Sequence, residues 1–472
     1  MNLLGRRLFD VILSVALTAA FAVACSAPAP TVPAPTTAPA APAATEAPAA
    51  IAPTTVPVAA AATEAPTEIA PTTAPTATVA ASAAQTGSGT PFKLGLLAPL
   101  SGYNAASGDD MRDALQLWVD QHNNTIGGRP LQVFVEDTAG DANTSVEKAR
   151  KLVENDQVDI VLGPENADEA NATAAWMCQN QALLLLVIPA GENLTIRQRC
   201  PYVLRSGWTA PQPIYPFADY IYNTLGYKKV AAISKDYDQG YEQVGALQRR
   251  LADLGGSVVK KLWTPANTTD FGPYLSQIPS GVDAVFAMYG GSDALAFLQS
   301  YADFGLKGKI PLITSGTFTD EATLIKMNDN ALGIVNSLQY SAVLSNTLNV
   351  QYQSDFKAKY GRASSYYAEH TYDGAAIVDG LVQQLGDNFK DPTKLNAALQ
   401  ALKLDLPRGP ITFDAYGGVV ENIYIRKVER VNGVLQNTVV ATIPSVSQFG
   451  PYDPKVYLTW PSYTKDFTPP QQ

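Results

Sequence analysis

From residue 91 onward the chain reads as short apolar runs separated by amphipathic stretches, and that alternation restricts its folds more than any other feature. Residues 93–98 form an apolar strand, turned by Pro99-Leu100-Ser101-Gly102. Met111, Ala114, Leu115, Trp118, Val119 and His122 then recur at helical spacing, and Gly127-Gly128 closes that helix. Residues 131–136 alternate as a second strand. Thr144-Ser145-Val146-Glu147 fits a capping box that opens a helix burying Val146, Ala149 and Val153. Residues 158–162 and 183–188 are apolar strands on either side of a helix near 168–181. The pattern restarts after Trp208, with strands at 230–234, 257–262 and 283–288, helices at 241–254 and 292–304, and an apolar stretch at 310–314. Strands and helices in this order give right-handed βαβ units and parallel sheets. Two successive sets predict two similar lobes. Ligands in open parallel sheets sit beyond the carboxyl ends of the strands, so facing lobes would enclose one between them.

Composition narrows the function. Two histidines and three cysteines are the whole stock of soft metal ligands. Zinc and iron–sulfur sites need three or four such ligands together, so no metal or other cofactor is expected. The net charge of −10 argues against nucleic acid, whose phosphates call for clustered Lys and Arg. At roughly 100–200 residues per domain, the segment from 91 to the end makes about two domains.

The first 90 residues are of a different kind. Arg6 and Arg7 precede an apolar run at 11–23, too short to span a bilayer, which takes about 20 residues. It ends in Ala22-Val23-Ala24-Cys25, which resembles the lipobox of bacterial lipoproteins. That resemblance implies removal of residues 1–24 and acylation of Cys25. The alternative is an ordinary secretory signal with a chance cysteine. Residues 26–90 are nearly all Ala, Pro and Thr, with Glu46, Glu64 and Glu68 as their charges. Too few large apolar side chains are present to offset the ordering entropy, which predicts an unfolded tether averaging roughly 45 Å end to end as a coil. A lipidated cysteine would fix it to the outer face of the bacterial membrane.

Several stretches of the folded part carry a family likeness. Lys93-Leu94-Gly95-Leu96-Leu97-Ala98-Pro99-Leu100-Ser101-Gly102 resembles the opening strand and turn of the branched-chain (leucine/isoleucine/valine) amino-acid binding proteins of ABC transporters. Gly127-Gly128-Arg129, Glu147-Lys148-Ala149-Arg150-Lys151-Leu152 and Gly163-Pro164 follow in order. Then come Asp236-Tyr237 with Gly240, Gly255-Gly256, Tyr372-Asp373-Gly374-Ala375 and Gly409-Pro410-Ile411-Thr412-Phe413-Asp414. The likeness covers roughly residues 91–445 and implies the type I periplasmic-binding fold. That is an α/β architecture of two Rossmann-like lobes with parallel sheets, joined by a three-crossing hinge. On this pattern lobe one is 91–210 plus 342–408, and lobe two is 211–341 plus 409–472 with the C-terminal segment. The implied function is capture of a small amino-acid-like ligand and its delivery to a membrane permease, with no chemistry.

The same resemblance suggests site residues. Ser107 matches the ligand-touching position of the first turn, where plain turn chemistry is the alternative. Asn166 and Ala167 stand where relatives supply a serine, in a loop whose helix N-terminus favours a ligand carboxylate. Ala190 and Glu192 lie in a further ligand loop. Glu192 is expected either to pair with a ligand ammonium or to cap the next helix. Tyr237 and Gln239 bracket the family's aromatic contact, although Tyr237 also suits packing within its own lobe. Tyr289 aligns with a ligand tyrosine. At Ser315-Gly316-Thr317 amino-acid binders carry an acid, absent here beside Gly316, which leaves amides, urea-like compounds and aromatic acids open as ligands. Cys178 and Cys200, the cysteines left after lipidation, are expected to form a disulfide, two buried thiols being the alternative. His122 and His370 read as structural. A sensory ligand-binding module and, further off, a secreted hydrolase are the competing functions.

Overall fold

The computed structural model describes residues 89–102 and 104–469. The stretch read as a signal segment, Cys25 and the Ala/Pro/Thr stretch as far as residue 88 lie outside the described residues. The chain begins with β1 (Phe92–Ala98), α1 (Ala105–Gln121), β2 (Thr125–Ile126), β3 (Arg129–Asp137), α2 (Ala142–Arg150), β4 (Ile160–Leu162), α3 (Ala167–Gln179), β5 (Leu184–Leu186) and β6 (Val203–Arg205). These strands form one sheet in the order β2-β3-β1-β4-β5-β6, parallel except at the β2–β3 pair. All of β4 and β5, and six positions of β1, are buried, as continuous apolar runs require when helices cover both faces of a parallel sheet. α1 turns Met111, Ala114, Leu115 and Trp118 inward, and His122 ends it, stacked on Trp118. The capping box expected at Thr144-Ser145-Val146-Glu147 does not form. Asp141 caps α2 instead, its carboxylate accepting the Thr144 amide at 2.8 Å. Cys178 and Cys200 are joined as a disulfide that staples the end of α3 to the approach of β6, Cα to Cα 6.2 Å.

The second half runs α4 (Ile214–Asn223), β7 (Lys229–Lys235), α5 (Asp238–Asp253), β8 (Ser257–Thr264), α6 (Gly272–Leu275), β9 (Ala284–Met288), α7 (Gly291–Asp303), β10 (Leu312–Ser315), α8 (Glu321–Leu324) and β11 (Val335–Leu338). Three helices follow, α9 (Thr347–Tyr360), α10 (Tyr366–Leu385) and α11 (Pro392–Ala401), then β12 (Leu404–Leu406), β13 (Gly409–Phe413), β14 (Val419–Val431), β15 (Val434–Val446) and α12 (Pro454–Tyr457). The second sheet has the order β12-β13-β14-β11-β10-β9-β7-β8, with β15 paired to β14. Its β7–β11 portion is parallel, and β14 closes antiparallel on β11. The β14–β15 hairpin turns at Asn432-Gly433, both with positive φ, as a two-residue hairpin turn demands. Each sheet therefore anchors its own α/β domain, and α10 and α11 return to the core of the first.

The chain just after residue 408, the boundary expected between the lobes, is shared. β13 belongs to the second sheet by hydrogen bonding, yet Ile411 and Phe413 are buried among Leu395 and Leu399 of the first core. The last crossing is thus a ribbon shared by both lobes. Arg408, at its start, ties the crossings together. Its guanidinium donates to the Ser206 carbonyl at 2.8 Å on the first crossing and meets Asp373 of α10 at 3.2 Å and Glu421 of β14 at 3.3 Å. On the second crossing Gln339 donates to His370 Nε2 at 2.8 Å, and the other ring nitrogen of His370 faces Glu369. Gly409 follows with φ +108°, and the Tyr424 hydroxyl, which donates to the Arg408 carbonyl at 2.7 Å, leaves little room for a side chain there. All five ionisable members, Glu369, His370, Asp373, Arg408 and Glu421, are buried. Burial drives His370 well below and Asp373 well above their usual ranges, and lifts Glu421 to about 7 against the pull of Arg408.

Candidate functional site

A cavity of about 390 Å³ opens where the carboxyl ends of the strands of the two sheets face each other. Among the helices that begin at its wall are α1 and α3 on the first lobe and α5 and α7 on the second. Of those on the first lobe only α3 is capped. Asn166 caps α3 in a reciprocal box with Glu169, and Asn104, at the start of α1, donates to Glu165 at 2.6 Å. Those of the second are not: Tyr237 and Gly290, the caps of α5 and α7, make no side-chain capping bond. Free amides and the helix dipole make that wall attractive to an anion. Lys235, the last residue of β7, stands beside it, its ammonium 4.7 Å from the Tyr237 ring centroid and in no ion pair among the described residues.

Aromatic side chains form the remaining walls. Trp208 packs edge-on to Tyr366, ring centroids 6.4 Å apart, and Tyr367 lies against Tyr366. Across the cleft stand Tyr237, whose hydroxyl meets the Met288 sulfur at 3.3 Å, and Tyr289, held by Thr264 at 3.1 Å between Phe271 and Phe297. Two acids complete the lining. Burial, and next the Glu169 carboxyl, push Glu165 up to about 8, opposed by Asn104, Lys235 and Ser107. Burial also raises Asp293, opposed by Lys235 and an amide of Asn267.

Of the residues expected at the site, Ser107, Asn166, Ala167, Tyr237, Gln239 and Tyr289 line this cavity. Three others do not. Ala190 is buried, its carbonyl engaged by the Ala210 amide. Glu192 is fully buried away from the cleft: it ion-pairs with Arg197, accepts from Tyr457, and its amide donates to Glu242 at 3.1 Å. It is neither a cap nor a ligand contact, because the C-terminal segment covers it. Gly316 is pressed against β11, where a Cβ would stand 2.4 Å from the Ser337 carbonyl, and only its neighbour Thr317 reaches the cleft. Sequence reasoning missed Trp208, Tyr366, Tyr367, Glu165, Lys235 and Asp293. Lys235 was within reach, since it ends a strand that the pattern placed correctly.

Comparison with known proteins agrees with this geometry. Residues 91–433 match the periplasmic binding protein family. A Leu/Ile/Val-binding protein homolog 6 from Brucella melitensis is 28% identical over 358 residues, covering 74% of this chain and 91% of that one. An ABC transporter substrate-binding protein from Sphaerobacter thermophilus is 32% identical, with a TM-score of 0.72 over 75% of this chain and 98% of that one. A solute-binding protein of an ABC transporter from Rhodopseudomonas palustris, in complex with 3,4-dihydroxybenzoic acid, is 30% identical with a TM-score of 0.71, covering 75% and 98%. The chain belongs to the periplasmic binding protein family and has its type I fold, two α/β lobes around a ligand cleft.

Proposed function

We propose that this protein is the extracytoplasmic solute-binding lipoprotein of an ABC transporter, held to the membrane through Cys25, and that its ligand is a small aromatic carboxylate. The ligand is trapped between the lobes by hinge closure and handed to a permease unchanged. One observation carries the choice of ligand: a single cleft joins an aromatic lining to an anion-seeking wall made by Lys235 and the uncapped starts of α5 and α7. Two features favour an aromatic acid over an aliphatic amino acid. No acid stands at 315–317 to grip an α-ammonium, and burial keeps Glu165 largely protonated near neutral pH. Relatives from Rhodopseudomonas palustris solved with dihydroxybenzoic and p-hydroxybenzoic acids lend support. The test is a melting-temperature screen of benzoates against aliphatic amino acids, because a ligand of the folded state raises the midpoint by mass action. Benzoates are expected to raise it and to be recovered intact. A rise with leucine alone, or conversion of the compound, contradicts the proposal.

A further inference from the structure

We infer that Glu165 is a specificity-determining residue that selects aromatic acids carrying a hydroxyl on the ring. This rests on the aromatic-acid reading and extends it. Glu165 is 8% exposed, lies on the first-lobe wall opposite the anion-seeking one, and accepts from the Asn104 amide at 2.6 Å, with the Ser107 hydroxyl also beside it. Ser107, which also faces it, spends its proton on the Asn104 carbonyl at 2.7 Å. Lys235 faces it from the second lobe but forms no ion pair within 4.0 Å among the described residues. A carboxyl has room for several donors, and burying one among neutral partners alone costs stability. Such costs concentrate at functional sites.

The surroundings specify what is missing. Glu165 acts electrostatically on Tyr366 and Tyr367, so it adjoins the aromatic patch where a ring would stack. Trp208, packed on the same Tyr366 and 1% exposed, has an indole N–H with no hydrogen-bond partner among the described residues. A phenolic hydroxyl is both donor and acceptor. It can donate to Glu165 and accept from Trp208, whose indole N–H has no partner among the described residues. A bare or methylated ring satisfies neither. The charged and titratable groups facing Glu165 are Glu169 of α3, Lys235 of β7, and Tyr366 and Tyr367 of α10. Burial and Glu169 keep the proton on Glu165 near neutral pH, where it still presents an acceptor oxygen.

Titration calorimetry of the purified protein with benzoate, 3- and 4-hydroxybenzoate and 4-methylbenzoate tests this. At least one hydroxybenzoate is expected to bind about tenfold or more tightly than the methyl compound, as a buried hydrogen-bond pair left unmade requires. In Glu165→Leu that ratio should fall to within about threefold, whatever the change in benzoate affinity itself. Glu165→Ala serves the same comparison if the leucine variant does not fold. If benzoate binds but hydroxyl preference is absent, or persists in the variant, the assignment to Glu165 is overturned and the aromatic-acid reading stands. If none of the four binds, the reading and the assignment both fall.

Discussion

At the crossings between the lobes, Arg408 stands between Asp373 and Glu421 and reaches the Ser206 carbonyl, so buried acids there face a fixed cation. In the cleft, Glu165 and Asp293 share only a distant Lys235. The hinge gathers its acids around one internal cation, and the cleft keeps its two acids apart from any close one. A hinge must keep its geometry while the lobes move, and a binding site must hold capacity in reserve for a ligand.

The contrast can be broken most forcefully at Arg408. Arg408→Met strands Asp373, Glu421 and Glu369 without a cation, and denaturant unfolding at pH 7 should show a loss of about 3–5 kcal/mol. A loss below about 1 kcal/mol would mean the hinge acids are not held by Arg408 at all. A control outside both regions comes next. Replacing Cys178 and Cys200 by serine opens a loop with a sequence separation of 22. That should cost about 3 kcal/mol of stability with ligand affinity unchanged. If affinity falls as well, the first-lobe wall depends on the staple.

Glu165 sharpens the contrast through pH. Its folded-state pKa of about 8 is raised above the ordinary 4.5, so the folded protein binds the proton more tightly than the unfolded chain. Stability from this group is therefore full below pH 4.5 and is lost as pH rises towards 8. Glu165→Gln should match wild type at pH 4 and exceed it at pH 9 by roughly 4–5 kcal/mol in thermal or chemical melts. A variant equally destabilised at both pH values would make Glu165 a structural strut. The smallest effect is expected at the opposite wall. Lys235→Met should weaken benzoate binding about tenfold, near 1.4 kcal/mol, without lowering the unliganded melting temperature.

The architecture was legible because hydrophobic periodicity reports burial directly. β1, β4, β7 and β9 all stand where apolar runs end in turns. What failed were features set by distant parts of the chain. The capping signal at Thr144 lost to Asp141, three residues earlier and equally able to accept its amide. Asn432-Gly433 carried a hairpin signal between two long alternating runs that the reading left unused. Glu192 sits in a loop of the right kind, but the C-terminal segment, which contributes Tyr457, covers it. Trp208 and Tyr366 are 158 positions apart in sequence yet meet edge to face, and no local pattern announces that contact. The arginine that unites the hinge was equally silent, since Arg408 beside Gly409 looks like any turn until the crossings converge on it.

The most direct measurement is a crystal structure of the protein grown with 4-hydroxybenzoate. The account predicts one molecule in the cleft, its carboxylate at Lys235 and the opening amides of α5 and α7, its ring beside Trp208 and Tyr366, and its hydroxyl at Glu165. A carboxylate resting on the Asn104–Glu165 wall, or the compound bound outside the cleft, would contradict it.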